Sequence, residues 1–153
     1  MITKKTKYAL KALQYLAEQP VGQPVLIADL SREELIPKKF LEFILLTLRK
    51  AGILQSRIGK GGGYWLALPA NRVTLGSIIQ ALEGDLAPLQ CLSTTNYARC
   101  EECKDEVSCG TRLVMADVDV VLRAVLEKLT LADILERSEH ARMTAAQTVD
   151  FSI

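Results

Sequence analysis

The sequence predicts a mainly α-helical protein with one small β-hairpin, and three observations lead there. Apolar residues recur at helical spacing along most of the chain, as in Leu41, Ile44, Leu45 and Leu48. The pattern turns strand-like once, on either side of Gly59-Lys60-Gly61-Gly62-Gly63, where a glycine-rich link joins two short extended runs. A long apolar helical stripe then follows Cys109, spanning about 20 residues or roughly 30 Å.

The first helix spans Lys4 to Glu18, with Ala9, Leu13, Leu16 and Ala17 on one face, and Pro20 and Gly22 stop it. Pro24 precedes a second, Val25 to Leu30 or slightly beyond. A third starts near Pro37, whose missing N–H suits a first helical position. In that third helix Lys39, Glu42 and Arg49 project away from the apolar stripe, and Gly52 is a plausible C-cap. Two short helices followed by one apolar on one side and charged on the other fit a helix-turn-helix, whose last helix lies in the major groove. The turn itself, Glu34-Leu35-Ile36-Pro37, lacks the glycine often found there.

The hairpin runs from Ile53 to Ile58 and from Tyr64 to Leu68, ended by Pro69. Glycines at its tip allow close approach to a phosphate or groove edge, and Arg57 and Lys60 put charge beside it, as a DNA-contacting wing requires. A nucleotide-phosphate loop is the rival, but neither the P-loop pattern nor G-x-G-x-x-G is met. The fold class is therefore a winged helix-turn-helix plus a long dimerisation helix.

Charge divides the chain in the same place. Residues 1–72 hold twelve Lys and Arg against five Asp and Glu, and residues 73–153 hold seven against thirteen, giving +7 and −6. Phosphate neutralisation needs local positive charge, not a basic whole chain. The expected organisation is a DNA-binding domain over 1–72, a linker helix, cysteine loop and dimerisation helix over 73–136, and a polar tail over 137–153.

All four cysteines, Cys91, Cys100, Cys103 and Cys109, fall in one short stretch after the basic half. The lysine-rich start carries no signal-peptide core, and no run approaches the roughly 18 apolar residues of a membrane span. The expected location is a reducing cytoplasm, where clustered thiols serve as metal ligands or redox groups more often than as disulfides. Intervals of eight, two and five residues are long enough to wrap an iron-sulfur cluster, and zinc would accept the same four sulfurs. Spacing does not separate the two. Glu101, Glu102, Asp105 and Glu106 among these thiols read as solvated surface.

Thr74 is placed to cap a short helix, Leu75 to Leu82, ended by Gly84. The stripe after Cys109 carries Val114, Val118, Val121, Val125 and Leu129, with Leu122 and Leu126 beside it, more than a small winged domain needs. A helix packed on its twin is the natural use. Thr130-Leu131-Ala132-Asp133 has capping-box spacing for a last short helix, and polarity from Arg137 onward suggests a loose tail.

The chain resembles the IscR-type superfamily of bacterial winged-helix transcriptional regulators, the group of IscR, NsrR, RirA and CymR. The resemblance rests on Thr6 to Leu10, Phe40-Leu41-Glu42, Leu48 to Leu54, Gly59 to Tyr64, Val73 to Ile79 and the cysteines. It implies a homodimer on a near-palindromic double-stranded DNA operator, with an iron-sulfur cluster in many members and none in others. It also implies Cys91, Cys100 and Cys109 as ligands. Members with a histidine ligand have it three residues after the last cysteine, where this chain has Arg112. The remaining bond falls to Cys103, to a carboxylate of the loop or to a group from the partner subunit, while His140 is distant in the tail.

The expected function is a dimeric, cluster-sensing repressor, with a 2Fe-2S cluster as the working cofactor and zinc as the alternative. Lys38, Lys39 and Glu42 are the expected base and phosphate contacts of the recognition helix, and Arg57, Lys60, Gly61 and Gly62 those of the wing. Alternatives are a zinc-stabilised or thiol-disulfide-switched regulator and, in another class, an iron-sulfur electron-transfer protein that binds no operator. No nucleotide site or catalytic constellation points to an enzyme.

Overall fold

The structure, a computed structural model, describes residues 2–150, with side chains as far as residue 146. It is mainly helical: α1 (Lys4–Ala17), α2 (Ile27–Glu34), α3 (Lys38–Lys50), β1 (Leu54–Arg57), β2 (Gly63–Leu66), α4 (Leu75–Glu83), α5 (Gly110–Lys128) and α6 (Leu131–Asp150). The expected winged helix-turn-helix with a long helix behind it is what forms.

One core holds the first four helices and the hairpin. Ala9, Leu13 and Leu16 of α1, Leu30 of α2, the Leu41, Ile44, Leu45 and Leu48 stripe of α3, and Ile78 and Leu82 of α4 are buried together with Ile53 and Leu54. Full burial of each large aliphatic side chain contributes about 1.5–3 kcal/mol, so the α3 stripe alone commits one face of that helix to the interior. Its other face is left for solvent or a partner.

The helix-turn-helix corner is built without glycine. Leu35 ends α2 with φ of 55°, in the left-handed region, and its side chain is 84% exposed. Ile36 next to it is buried, its N–H donating to Ser31 O at 3.1 Å while Ser31 Oγ donates to Ile36 O at 2.6 Å. Lys11 of α1 closes the corner by donating to Glu34 O at 2.8 Å. Burial of Ile36 and these bonds offset a strain of about 1–2 kcal/mol at Leu35.

Several sequence boundaries shift for local reasons. Val25 is not helical, because its N–H and C=O both pair with Tyr64 at 2.9 Å and add a bridge beside β2, so α2 begins at Ile27 and continues to Glu34. Pro37 is the N-cap of α3, extended at ψ 127°, rather than its first helical residue. The last helix is not short: α6 continues to Asp150, where a loose tail was expected from residue 137. Its start does follow the capping box, with Thr130 N donating to Asp133 Oδ2 at 2.7 Å and Asp133 N to Thr130 Oγ1 at 3.3 Å. The i, i+4 connectivity opened by that cap continues through residues whose polarity speaks only of solvent exposure.

Behind the winged domain, α4 and α5 are drawn together where Gly76 lies under the Leu126 backbone. A Cβ at Gly76 would sit 3.3 Å from Leu126 O. Backbone bonds from Leu75 N to Leu129 O (2.7 Å) and from Leu131 N to Val73 O (2.8 Å) fix the α5–α6 corner to the same place. Thr74 caps α4 by accepting from Ser77 N at 3.1 Å, and Gly84 ends it with φ of 82°, as its sequence requires. No described helix is long and apolar enough to cross a membrane.

Candidate nucleic-acid interface and cysteine centre

The outward face of α3 carries Lys38, Lys39, Glu42 and Arg49, all exposed, so the sequence-expected contacts share one surface. Phe40 and Phe43 are also half-exposed or more on this helix. Phe40 meets Tyr8 of α1 edge-on with ring centroids 6.0 Å apart, and Lys4 lies 5.5 Å over the Tyr8 ring. Aromatic residues left on a charged helix face were the available signal for extending this surface to Phe43 and to α1, which sequence reasoning missed.

The wing is held to α3 by Arg49, which donates to Ser56 Oγ of β1 at 3.1 Å. Its strands pair antiparallel, Leu54 with Leu66 through Arg57 with Gly63. At the tip Gly62 N donates to Gly59 O at 2.9 Å and Arg57 donates to Gly61 O at 2.9 Å, so the guanidinium braces the turn it was expected to arm. Gly62 and Gly63 are needed by the fold itself. A Cβ on Gly62 would lie 2.3 Å from Arg57 O, and one on Gly63 2.3 Å from Val25 O. Gly62 is buried, whereas Lys60 and Gly61 are exposed at the tip.

The cysteines lie between α4 and α5. A short 3-10 turn, Gln90–Leu92, carries Cys91; Cys103 N donates to Cys100 O at 3.1 Å to form a tight turn; Cys109 is the N-cap of α5. All four are free thiols, and all four line one cavity of about 600 Å³. His140 does not line it. Among the described residues no three His, Cys, Asp or Glu side chains are drawn close enough to hold an ion, so the thiols share a cavity without forming a closed ligand set.

Polar contacts within the loop are specific. Arg99 donates to Cys103 O (3.1 Å) and Lys104 O (3.2 Å), and Tyr97 donates to Glu106 at 2.7 Å. Asp105 accepts from Val107 N, Ser108 N and Ser108 Oγ, which holds its carboxyl below the usual range. Cys100 Sγ donates to Glu102 at 3.1 Å; that bond pushes the thiol up and the carboxyl down, favouring a protonated sulfur in this arrangement. Glu102, Asp105 and Glu106 are therefore not simply solvated surface.

Asp85 anchors the loop. It accepts from Ser93 Oγ at 2.6 Å, Thr94 N at 2.9 Å and Ala87 N at 3.2 Å on the segment around Cys91, and from Arg123 of α5 at 2.7 Å. Arg123 also donates to Asp119 at 2.8 Å. The Ser93 and Arg123 bonds hold the Asp85 carboxyl far below its ordinary range. Neither Asp85 nor Arg123 stood out in the sequence, since they are 38 residues apart and carry no motif.

Beyond Arg123, α5 keeps only Leu126 buried, while Leu113, Val114, Val118, Val121, Leu122 and Val125 are exposed. The predicted apolar stripe is present and is uncovered from Val114 to Val125 in the single chain, whereas Leu126 is buried and Leu129 half-buried.

Residues 2–137 match the Rrf2 family profile, described as an iron-dependent transcriptional regulator. A Rhodobacter capsulatus protein named as an rrf2-like HTH-type transcriptional regulator is 41% identical over 138 residues, 88% of this chain and 92% of that one. The HTH-type transcriptional regulator IscR of Vibrio atlanticus is 28% identical over 152 residues, covering 99% of this chain and 84% of its own. Among solved structures, T. potens IscR superposes with a TM-score of 0.70 at 29% identity, over 92% of this chain and 90% of that one. CymR, the global cysteine regulator of B. subtilis, gives a TM-score of 0.72 at 25% identity, over 90% and 97%.

Proposed function

Given that the chain belongs to the Rrf2 family of iron-dependent transcriptional regulators, we propose that this DNA-binding protein acts as a homodimeric repressor whose affinity for its operator follows an iron-sulfur cluster held by Cys91, Cys100, Cys103 and Cys109. The observation that carries this reading is the convergence of all four free thiols on one cavity. Four sulfur donors fit the chemistry of such a group, and the family resemblance of the sequence favours it over zinc. When bound, the cluster supplies a change of charge, or its own loss, as the signal.

The chain's own residues supply the rest. Cys91 lies next to the segment anchored by Asp85, and Asp85 is bonded to Arg123 of α5, so drawing the thiols inward bears directly on that helix. The exposed apolar face of α5 is the surface we assign to the second subunit, since burial of such side chains is favourable by about 25 cal/mol per Å². Two half-sites on one DNA face require a fixed spacing near one helical turn, and a small rotation of the subunits about α5 removes one major-groove contact.

On DNA, Glu42 accepts from cytosine N4, while Lys38 and Lys39 reach guanine or phosphate. Lys60 and Gly61 meet the backbone or minor groove, with Arg57 bracing the turn behind them and Gly62 giving it its shape.

The test is protein purified without oxygen, analysed for iron, sulfide and zinc, by visible absorption and by operator binding with and without its metal. Iron and sulfide in comparable amounts, lost in Cys91→Ala, Cys100→Ala or Cys109→Ala, together with a change in operator affinity, are the expected results. Zinc alone would replace the reading with a zinc-stabilised regulator. A redox-active cluster with no operator binding would replace it with electron transfer.

A further inference from the structure

Arg112 stands in the first turn of α5, lines the cysteine cavity, and has its Nε buried without a hydrogen-bond partner. An unpaired guanidinium N–H in such a place is costly, because burial removes water and supplies no acceptor. Acceptors are close by in the sequence, yet they are engaged elsewhere. Glu102 accepts from Cys100, Asp105 from Val107 and Ser108, and Glu106 from Tyr97. Among the described residues Arg112 forms no ion pair with any of them. The neighbouring cation, Arg99, is spent on the carbonyls of Cys103 and Lys104.

The start of α5 adds positive potential to the cavity, which the carboxylates of Glu102 and Asp105 also line without pairing with Arg112. Cys109 caps α5 with no side-chain hydrogen bond, and the first turn of this 19-residue helix has no acidic residue. Free N–H groups at a helix start favour negative charge, as does the guanidinium beside them. Four thiols become anionic on ligating a metal, and they border the same cavity.

We propose that Arg112 is a charge-compensating donor to the group the cysteines hold: its guanidinium donates to the thiolate sulfurs and offsets their negative charge. This rests on the cluster-binding reading above. Arginine suits the place because its charge is permanent and its planar fork reaches two sulfurs at once, which a lysine ammonium does less well. Hydrogen bonds to cluster sulfurs and local charge are among the protein's means of setting cluster potential.

The experiment compares the full chain with Arg112→Gln and Arg112→Lys, all purified without oxygen. Iron and sulfide per chain, the rate of iron loss to a chelator, and the midpoint potential in a reductive titration are measured. The melting temperature of each metal-free protein reports folding separately. Arg112→Gln is expected to hold iron roughly tenfold to a hundredfold less tightly than the unaltered chain, as loss of a ligand's outer partner does, and so to lose it faster to the chelator. Its midpoint potential falls, because the reduced group carries one more negative charge. Arg112→Lys recovers most of the potential and only part of the retention.

Equal retention and potential in Arg112→Gln and the unaltered chain would overturn this inference alone. If the metal-free Arg112→Gln protein melts early, Arg112→Lys decides: a potential as low as that of the Gln variant overturns charge compensation. An unaltered chain that holds no iron overturns the cluster reading itself, and this inference with it.

Discussion

Asp85 and Arg123 form a 2.7 Å ion pair between the end of α4 and the middle of α5, and it joins the Cys91 segment to the helix that carries the exposed apolar face. Asp85 is nearly buried, with its side chain 8% exposed, and every bond it accepts comes either from its own loop or from that helix.

Asp85→Asn should therefore loosen the loop and α5 together. A hydrogen bond to a charged group contributes about 1.5–3 kcal/mol, so a melting temperature lower by several degrees is expected. Because the native carboxyl is held below its ordinary range, the contribution is present above the unfolded-state pKa of about 3.9 and is lost as pH falls below it. Thermal melts of both proteins from pH 7 to pH 3 should draw closer at the acid end without meeting, because a carboxyl held far below its ordinary range is still charged in the folded chain at pH 3. A constant difference would show that Asp85 acts only by its shape.

A second acid-sensitive contact joins the start of α1 to the end of α4. Glu83 accepts from Thr3 N at 3.2 Å and from the Thr3 and Thr6 hydroxyls, with Lys5 at 3.7 Å. Burial alone would raise its carboxyl, but the Thr3 and Thr6 donors and Lys5 outweigh it and hold the group at about 2, against an ordinary 4.5. Its stabilisation is complete above pH 4.5 and is lost as pH falls from there towards 2. Thr6 is fully buried, so Thr6→Val should cost about 1.5–3 kcal/mol at pH 7 and less at pH 3, read by urea denaturation at both. An equal cost at the two values would assign the loss to packing.

Leu35→Gly should stabilise the chain. The left-handed backbone costs leucine about 1–2 kcal/mol, its exposed side chain contributes little packing, and the greater freedom of glycine when unfolded returns part of the gain. A net gain of up to about 1 kcal/mol in chemical denaturation is expected. A loss would mean that the Leu35 side chain is covered in the assembled protein.

Glu42 and Lys60 should separate by the kind of binding they affect. Glu42→Ala relaxes preference at one base pair, by about 1–3 kcal/mol. Lys60→Ala weakens all sequences alike and lowers the slope of log affinity against log salt by about one. Binding titrations on the operator and single-base variants at several salt concentrations distinguish these outcomes, and a uniform loss for Glu42→Ala would remove it from base readout.

Val121→Asp, in the middle of the exposed face of α5, should leave the winged domain folded and shift the protein towards monomer. Sedimentation velocity with circular dichroism reads both. An unchanged assembly would move the dimer surface off α5.

Much of this protein follows from local pattern. The α3 stripe, the Thr74 and Thr130 caps, the hairpin about its glycines and the long helix after Cys109 are each set by residues within a turn or two of one another, so the sequence by itself determines them. The order of residues likewise places four thiols in one loop. Tertiary structure decided the rest. Val25 is extended because Tyr64, 39 residues away, takes both its backbone groups, and the wing glycines answer to neighbouring backbone before any ligand. The Asp85–Arg123 pair, the Thr6–Glu83 contact and the partnerless Nε of Arg112 depend on which surfaces meet when helices pack. Hydrophobic periodicity records which face of an element is buried, but a polar side chain's partner is fixed only in three dimensions, since one charge in a sequence has many possible partners and a packed interior leaves it one or none.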